Sequence, residues 1–340
     1  MPLSQTKSLT DAKLRDDNEF YTRYEDIAIE MERCRNAKPD FFSGKTVYCP
    51  SDDPDRSMFV KFFDENFEKF GIRKLIATSL VPNGKGHCYE RTESGSERKR
   101  LDSDGDFQVD EVQKFWDEAD VIATNPAFSL FKNFMEKCEK KDIVILGPQH
   151  AAFYIKIFPR FRDREIFADY PLKPLRFVRP DGSEKPFGNV WWFTTLDTGG
   201  RKPMELRTMK ENLENNKFFR TKLMKTYGEI KYEEYLNFDG IDVPSISAIP
   251  SDYDGIMGVP AGILASYDKD QFEIVGYSQA NDKGNPVPIR PIGEDFLEKL
   301  YAQGKTGHYS KNMRILTVIT DNGKAVIPFG RVLIRQKKKG

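Results

Sequence analysis

Apolar positions in the first 150 residues fall in short, regularly spaced runs. Residues 13–37 carry Phe20, Tyr24, Ile27, Ile29 and Met31 in a charged background, the spacing of one amphipathic helix. Residues 45–49 (KTVYC) read as a short strand that Pro50 and Pro54 halt. Phe59, Phe62, Phe63, Phe67 and Phe70 then recur at helical intervals over 57–70, with Gly71 closing the helix. A second strand over 73–79 (RKLIATS) completes a strand–helix–strand unit, the start of an open parallel sheet. Residues 83–106 are polar and glycine-rich, and predict a loop or a hairpin built on 87–91 and 99–102. A helix over 108–117 leads into a strand over 120–124. A further helix over 129–140, with Ser129 as N-cap, leads into a strand over 142–146. Strands separated by helices in this way predict a doubly wound, mostly parallel α/β sheet.

The pattern changes after about residue 185. Residues 189–196 (NVWWFTTL) are strand-like, 204–235 are polar and lysine-rich, and short strands punctuated by Pro and Gly fill the rest, over 256–264, 272–277, 315–320 and 326–334. The expected organisation is an N-terminal helical segment (1–40), an α/β domain (41–200) and a mixed α/β recognition region (201–340).

Composition narrows the setting. The chain has 340 residues, enough for about two domains. It lacks an apolar run near the 18 residues that a membrane span needs, and the polar, acid-bearing N-terminus does not read as a signal peptide. Cys34, Cys49, Cys88 and Cys138 lie far apart without a CxxC pair, which fits free thiols in a reducing cytoplasm. His87, His150 and His308 are equally scattered, giving metal catalysis little support. With 53 basic and 53 acidic residues the net charge is zero, so a nucleic-acid surface would have to be local. Basic clusters stand at Arg98-Lys99-Arg100, at Arg201-Lys202 and from Arg331 to Lys339. Each also reads as a solvated face.

The strand over 120–124 delivers Asn125-Pro126-Ala127-Phe128 at its end. An exocyclic base amine is a poor nucleophile because its lone pair is delocalised into the ring. The Asn125 side-chain oxygen and the Pro126 carbonyl can each accept one of its N–H bonds and steer the lone pair outward. Phe128 can stack on the base. The same four residues also read as a plain turn.

At the end of the first strand lies Cys49-Pro50-Ser51-Asp52-Asp53, where an open α/β sheet binds its ligand. Asp52 and Asp53 can hold an ammonium group, and N–H groups at the next helix start can meet a carboxylate. An acidic turn that caps the helix is the other reading. Asp106 can accept from an adenine amine with Phe107 against its face; a loop Asp followed by a core Phe accounts for them equally. There is no GxGxxG.

In order along the chain, VYCPSDDPDRSMFVKFFDENF (47–67), GIRKLIAT (71–78), GDF (105–107), ADVIATNPAFSLF (119–131), WWFTTLD (191–197), MGVPAGILASYDKDQFEIVG (257–276) and RVLIR (331–335) resemble the EcoRI-type adenine-specific DNA methyltransferase family. The resemblance implies a class I S-adenosylmethionine-dependent methyltransferase fold with a C-terminal target-recognition region. Its substrate would be double-stranded DNA, and its product N6-methyladenine formed on an adenine flipped out of the helix. It implies Asn125, Pro126 and Phe128 as catalytic residues, and Cys49, Ser51, Asp52, Asp53, Asp106 and Phe107 as cofactor contacts. Arg201, Lys202 and Arg331 are the expected DNA-facing cations, with no metal. A cognate restriction endonuclease is the further partner such a pattern allows. Two departures stand out: Ala127 replaces the second proline of the usual Asn-Pro-Pro-Phe, and Gly147-Pro-Gln-His150 is unlike the family. RNA or a protein glutamine as substrate, or an inactive DNA-binding homologue, remain open alternatives.

Overall fold

The computed structural model describes residues 21–169, 175–178, 182–199, 201–278, 287–328 and 330–337. The chain divides into two compact units, Met1–Ala151 with Asp163–Gly199, and Ala152–Arg162 with Gly200–Gly340.

The first unit opens with β1 (Tyr21–Thr22) and α1 (Tyr24–Ala37). Residues 13–20 of the expected helix lie outside the described residues. Ile27, Met31 and Cys34 of α1 are buried in the same core as the phenylalanines after β2 (Thr46–Pro50), so this helix is part of the unit's packing. Next come α2 (Met58–Glu65), β3 (Lys74–Thr78), the hairpin β4 (His87–Thr92) and β5 (Gly95–Arg100), and α3 (Asp110–Glu118). They are followed by β6 (Val121–Thr124), α4 (Phe131–Lys137), β7 (Asp142–Pro148), β8 (Phe167–Asp169), β9 (Leu175–Val178), β10 (Glu184–Phe187) and β11 (Val190–Thr194).

The first helix begins only at Tyr24, because residues 21–22 of its expected span pair with β9 as β1, and two further helices differ for local reasons. The helix α2 stops at Glu65 because the Asn66 side chain bonds back to the Phe62 carbonyl at 2.9 Å, competing with the helix ladder. Phe67 and Phe70 still reach the core from the turns that follow. Ser129 does not cap α4: it sits inside a 3₁₀ turn, Phe128–Leu130, in which the Leu130 N–H bonds to the Ala127 carbonyl at 2.9 Å.

The main sheet has the order β5-β4-β3-β2-β6-β7-β11-β8. Its centre, β3-β2-β6-β7, is parallel, and the strands outside it pair antiparallel. Every residue of β2 and of β6 is buried, as expected of strands covered on both faces. The chain runs outward from β2 to β3, then returns to place β6 on the other side of β2. That reversal is a topological switch point, where sheets of this kind leave a crevice at the strand carboxyl ends. A small antiparallel sheet, β1-β9-β10, completes the unit.

The second unit holds the sheet β12-β13-β14-β18-β15, formed by Glu233–Glu234, Ile241–Asp242, Met257–Pro260, Arg331–Gln336 and Phe272–Ser278 respectively. It also contains α5 (Met209–Asn215), α6 (Lys217–Tyr227), α7 (Glu294–Ala302) and the two-stranded β16–β17 (Val318–Ile319, Ala325–Val326). The strands expected over 315–320 and 326–334 are shorter, and the second is divided between β17 and β18. Phe158, from the 152–162 segment, packs its ring 4.1 Å from Tyr277 of β15. Among the described residues no helix is long and apolar enough to cross a membrane, and the four cysteines are free and buried.

Candidate active site

The carboxyl ends of β2, β3 and β6 are adjacent in the sheet, and each carries one of the segments singled out in the sequence. After β2, the chain turns through Ser51 with φ +60°, a conformation that a serine rarely holds without support. Its hydroxyl oxygen is buried with no hydrogen-bond partner among the described residues. Asp52 follows, half-buried and bonded at both oxygens: Ser57 Oγ donates to Oδ1 at 2.7 Å and Thr124 Oγ1 to Oδ2 at 2.6 Å. Thr124 is also 3.2 Å from the Pro50 carbonyl. It is the last residue of β6 and directly precedes Asn125, so Asp52 ties the acidic loop to the Asn-Pro turn across the switch point. Burial raises the Asp52 carboxyl to about 6, against the two hydroxyl hydrogen bonds that favour its ionised form; neighbouring Asp53 adds an upward push.

Asp53 accepts from the Asp55 N–H at 2.9 Å through its side chain, and from Arg56 and Ser57 through its carbonyl. Ser57 caps α2, accepting from the N–H groups of Phe59 and Val60. The N–H groups of Ser57, Phe59 and Val60 are therefore already bonded within the chain, which removes them as the expected carboxylate cradle. The Cys49 side chain is fully buried in the core, and burial pushes its thiol well up. It supports β2 from within.

The third segment is held at the end of β3. The Val81 N–H bonds to the Asp104 carbonyl at 2.8 Å, and Gly105, at φ +79°, lies so close to Ser79 that a Cβ there would be 2.1 Å from the Ser79 carbonyl oxygen. Glu111 of α3 fixes the preceding turn, accepting from the N–H groups of Asp102 (2.9 Å) and Ser103 (2.8 Å). The Asp106 side chain accepts from the Gln108 N–H at 3.0 Å. Phe107 is 3% exposed, with its ring edge-on to Phe134 and tilted to Trp116. The ring is thus an anchor for the loop, not a face open to a ligand. Lys137, at the end of α4, donates to the Phe107 carbonyl at 2.5 Å, and burial lowers its pKa.

On the Asn-Pro turn, the Asn125 side-chain oxygen and Pro126 are buried, Ala127 is exposed and Phe128 is half-buried against the main core. Gly147 of β7 makes room for the helix that follows the turn: a Cβ there would lie 2.1 Å from the Phe131 ring. This gives the unexpected Gly147 a packing reason. His150 is exposed.

The sheet therefore brings together Ser51, Asp52, Asp53, Asp106 and the turn from Asn125 to Phe128. It does not add the expected DNA cations to them. Lys202 is exposed and Arg201 half-buried, both in the second unit. Arg331 is a correction. It lies on β18, inside the second unit's sheet, 8% exposed, with its guanidinium bidentate to Asp242 at 2.8 and 3.2 Å. Tyr227 and Tyr235 donate to the same carboxylate at 2.6 and 2.7 Å. Its charge is neutralised inside the unit and is withdrawn from the DNA-facing set. Sequence reasoning missed Thr124, Ser57, Glu111 and Lys137. Only Ser57 carried a signal, as a serine directly before an apolar helical run.

A parallel-centred α/β sheet with a half-buried acid, a strained serine and an Asn-Pro-x-Phe turn at its switch point defines an α/β protein whose candidate site is at the strand ends. The chain belongs to the family described as adenine-specific methyltransferase EcoRI, whose model matches residues 8–95 and 91–337. It is 30% identical over 304 residues to the type II methyltransferase M.EcoRI of Escherichia coli, covering 82% of this chain and 91% of that protein. It is 32% identical over 287 residues to the type II methyltransferase M.MpnI of Mycoplasma pneumoniae, covering 78% and 83%. The type II methyltransferase M.MgeORF184P of Mycoplasma genitalium is 30% identical over 286 residues, covering 78% and 84%. No solved structure matches the chain.

Proposed function

We propose that this chain transfers a methyl group from S-adenosylmethionine to the N6 amine of an adenine flipped out of duplex DNA, in the cytoplasm, at a specific sequence. Family membership supports the adenine-directed methyl transfer. The observation that carries the site assignment is the Thr124–Asp52 hydrogen bond, which joins the Asn-Pro turn to the acidic loop. On this reading the first unit is the class I methyltransferase domain, and the second is the target-recognition region.

The residues fit a sulfonium amino-acid cofactor. A carboxyl raised to about 6 by burial gains most from a cation beside it, so Asp52, with Asp53, would hold the ammonium end. Ser51 brings a buried hydroxyl that has no partner among the described residues. Asp106 would accept from the cofactor's adenine amine. When bound, S-adenosylmethionine supplies an electrophilic methyl group on a positively charged sulfur.

Asn125 and Pro126 act on the target base. Their oxygens accept the two N–H bonds of the amine, turn its lone pair toward the methyl group and stabilise the positive charge that would grow on nitrogen as the methyl–sulfur bond breaks, with the thioether leaving and one amine proton lost to solvent. Phe128 holds the base by stacking. The transfer needs positioning and these two acceptors, with no covalent intermediate on the protein, which agrees with four buried thiols. The test is to incubate the protein with mixed-sequence duplex DNA and methyl-labelled S-adenosylmethionine, then identify the labelled nucleoside. N6-methyldeoxyadenosine is expected; label in RNA or protein alone would overturn the assignment.

A further inference from the structure

In the second unit, α6 (KFFRTKLMKTY, 217–227) is built in two unlike halves. Phe219, Leu223 and Tyr227, one turn apart, are fully buried. The Phe219 ring lies 5.0 Å from that of Tyr232, and the Tyr227 hydroxyl donates to Asp242 at 2.6 Å. Both ends are fixed. Asn216 caps the first turn by accepting from the Phe219 N–H at 3.0 Å. Gly228, at φ +83°, closes the last, and Lys324 donates to the Thr226 carbonyl at 2.6 Å. The Arg331–Asp242 pair, with Tyr227 and Tyr235, thus anchors a rigid helix.

The outer half is of a different kind. Lys217, Phe218, Arg220, Thr221, Met224 and Lys225 are exposed, Phe218 by 67% and Met224 by 48%. Lys217, Arg220 and Lys225 have no ion-pair partner among the described residues. The helix α6 contains no Asp or Glu, in a chain whose net charge is zero. A shallow groove of about 500 Å³ lies along this face, lined by Lys217, Arg220, Thr221, Met224 and Ile230, with Glu214 and Asn215 from the end of α5. Phe218 meets the Lys222 ammonium, 5.9 Å from its ring centroid, and still leaves two-thirds of its surface open.

We infer that the outer face of α6 is the surface that meets the duplex target, with Lys217, Arg220 and Lys225 on backbone phosphates and Phe218 and Met224 on base edges. The inference rests on the methyltransferase reading above and names the contacts that reading leaves open. Unpaired cations on a rigid helix match a polyanion of fixed geometry, and a helix of ordinary diameter enters the major groove. Exposed apolar side chains among them suit thymine methyl groups and base edges, contacts that discriminate sequence where phosphate contacts do not. A protein partner covering the same face would have to desolvate those cations as well.

The test uses the full-length chain. Wild type and the triple variant Lys217→Ala, Arg220→Ala, Lys225→Ala are titrated with fluorescent duplex DNA over a range of salt. S-adenosylmethionine affinity and thermal midpoint are measured alongside and are expected to match wild type. Losing three phosphate contacts lowers the slope of log affinity against log salt by about 2–3. Phe218→Ala is read separately, by sequencing the sites methylated on genomic DNA, and is expected to broaden or abolish the site preference. If wild type binds and methylates DNA while the triple variant keeps its salt slope and affinity, α6 faces something else and the inference is overturned. A wild type that neither binds nor methylates duplex DNA overturns the methyltransferase reading itself.

Discussion

Replacing Thr124 with Val removes one hydroxyl and little volume. That hydroxyl donates to Asp52 at 2.6 Å and lies 3.2 Å from the Pro50 carbonyl, so the change cuts the link between the Asn-Pro turn and the acidic loop. A hydrogen bond to a charged group contributes about 1.5–3 kcal/mol. Asp52 then loses one of the two hydroxyl bonds that favour its ionised form. At about 1.4 kcal/mol per pH unit, its titration moves up by about 1–2 units from the value of about 6 in the intact site. Two consequences have opposite signs. Because folding raises this carboxyl, its contribution to stability is complete below its unfolded value near 3.8 and is lost as pH rises through about 6. Affinity for a cationic cofactor runs the other way, rising as Asp52 ionises and weakening as pH falls through about 6. Calorimetric titration of S-adenosylmethionine between pH 5 and 8 reads the second effect directly. The Thr124→Val profile is expected to shift to higher pH, with affinity near pH 7 reduced by about twofold to tenfold. Thr124→Ser, which keeps the hydroxyl, is expected to follow wild type. A Val profile that coincides with wild type, or a Ser variant as impaired as Val, refutes the link.

Asp242→Ala leaves the Arg331 guanidinium buried without its carboxylate and takes the acceptor from Tyr227 and Tyr235. Urea unfolding is expected to show a loss of about 3–5 kcal/mol; a loss below about 1 kcal/mol would contradict the assigned network. Ala127 has φ −56°, inside the range proline adopts, so Ala127→Pro, which restores the family's second proline, is expected to fit without strain. It should raise stability by about 0.4–1 kcal/mol and leave the transfer rate unchanged, checked by thermal melting and turnover.

The parts that could be read from sequence share a physical cause. The buried strands β2 and β6 are unbroken apolar runs, and the residues at their ends are local to them, so the loops 49–53 and 125–128 could be placed on one sheet edge without coordinates. What stayed hidden depends on distant pairs. Thr124 and Asp52 are 72 residues apart, and Arg331 and Asp242 are 89 apart. A basic residue in RVLIR therefore reads as a surface cation until β18 is found inside its sheet with an acid beside it. Phe107 was open to either reading for the same reason, since Trp116 and Phe134 that enclose it come from two separate helices. The outer face of α6 was masked differently: its lysines were lost in a long polar stretch until burial showed which side they occupy.

Asn125 is the residue on which the proposed transfer depends most directly. In a single-turnover assay with duplex DNA and labelled S-adenosylmethionine, both at saturating concentration, Asn125→Ala is expected to bind cofactor and DNA as wild type does. Methyl transfer to adenine should slow by about 10²–10³-fold, the cost of losing one preorganised polar group at the reacting atom. Transfer at the wild-type rate would contradict the claim that this turn holds the amine.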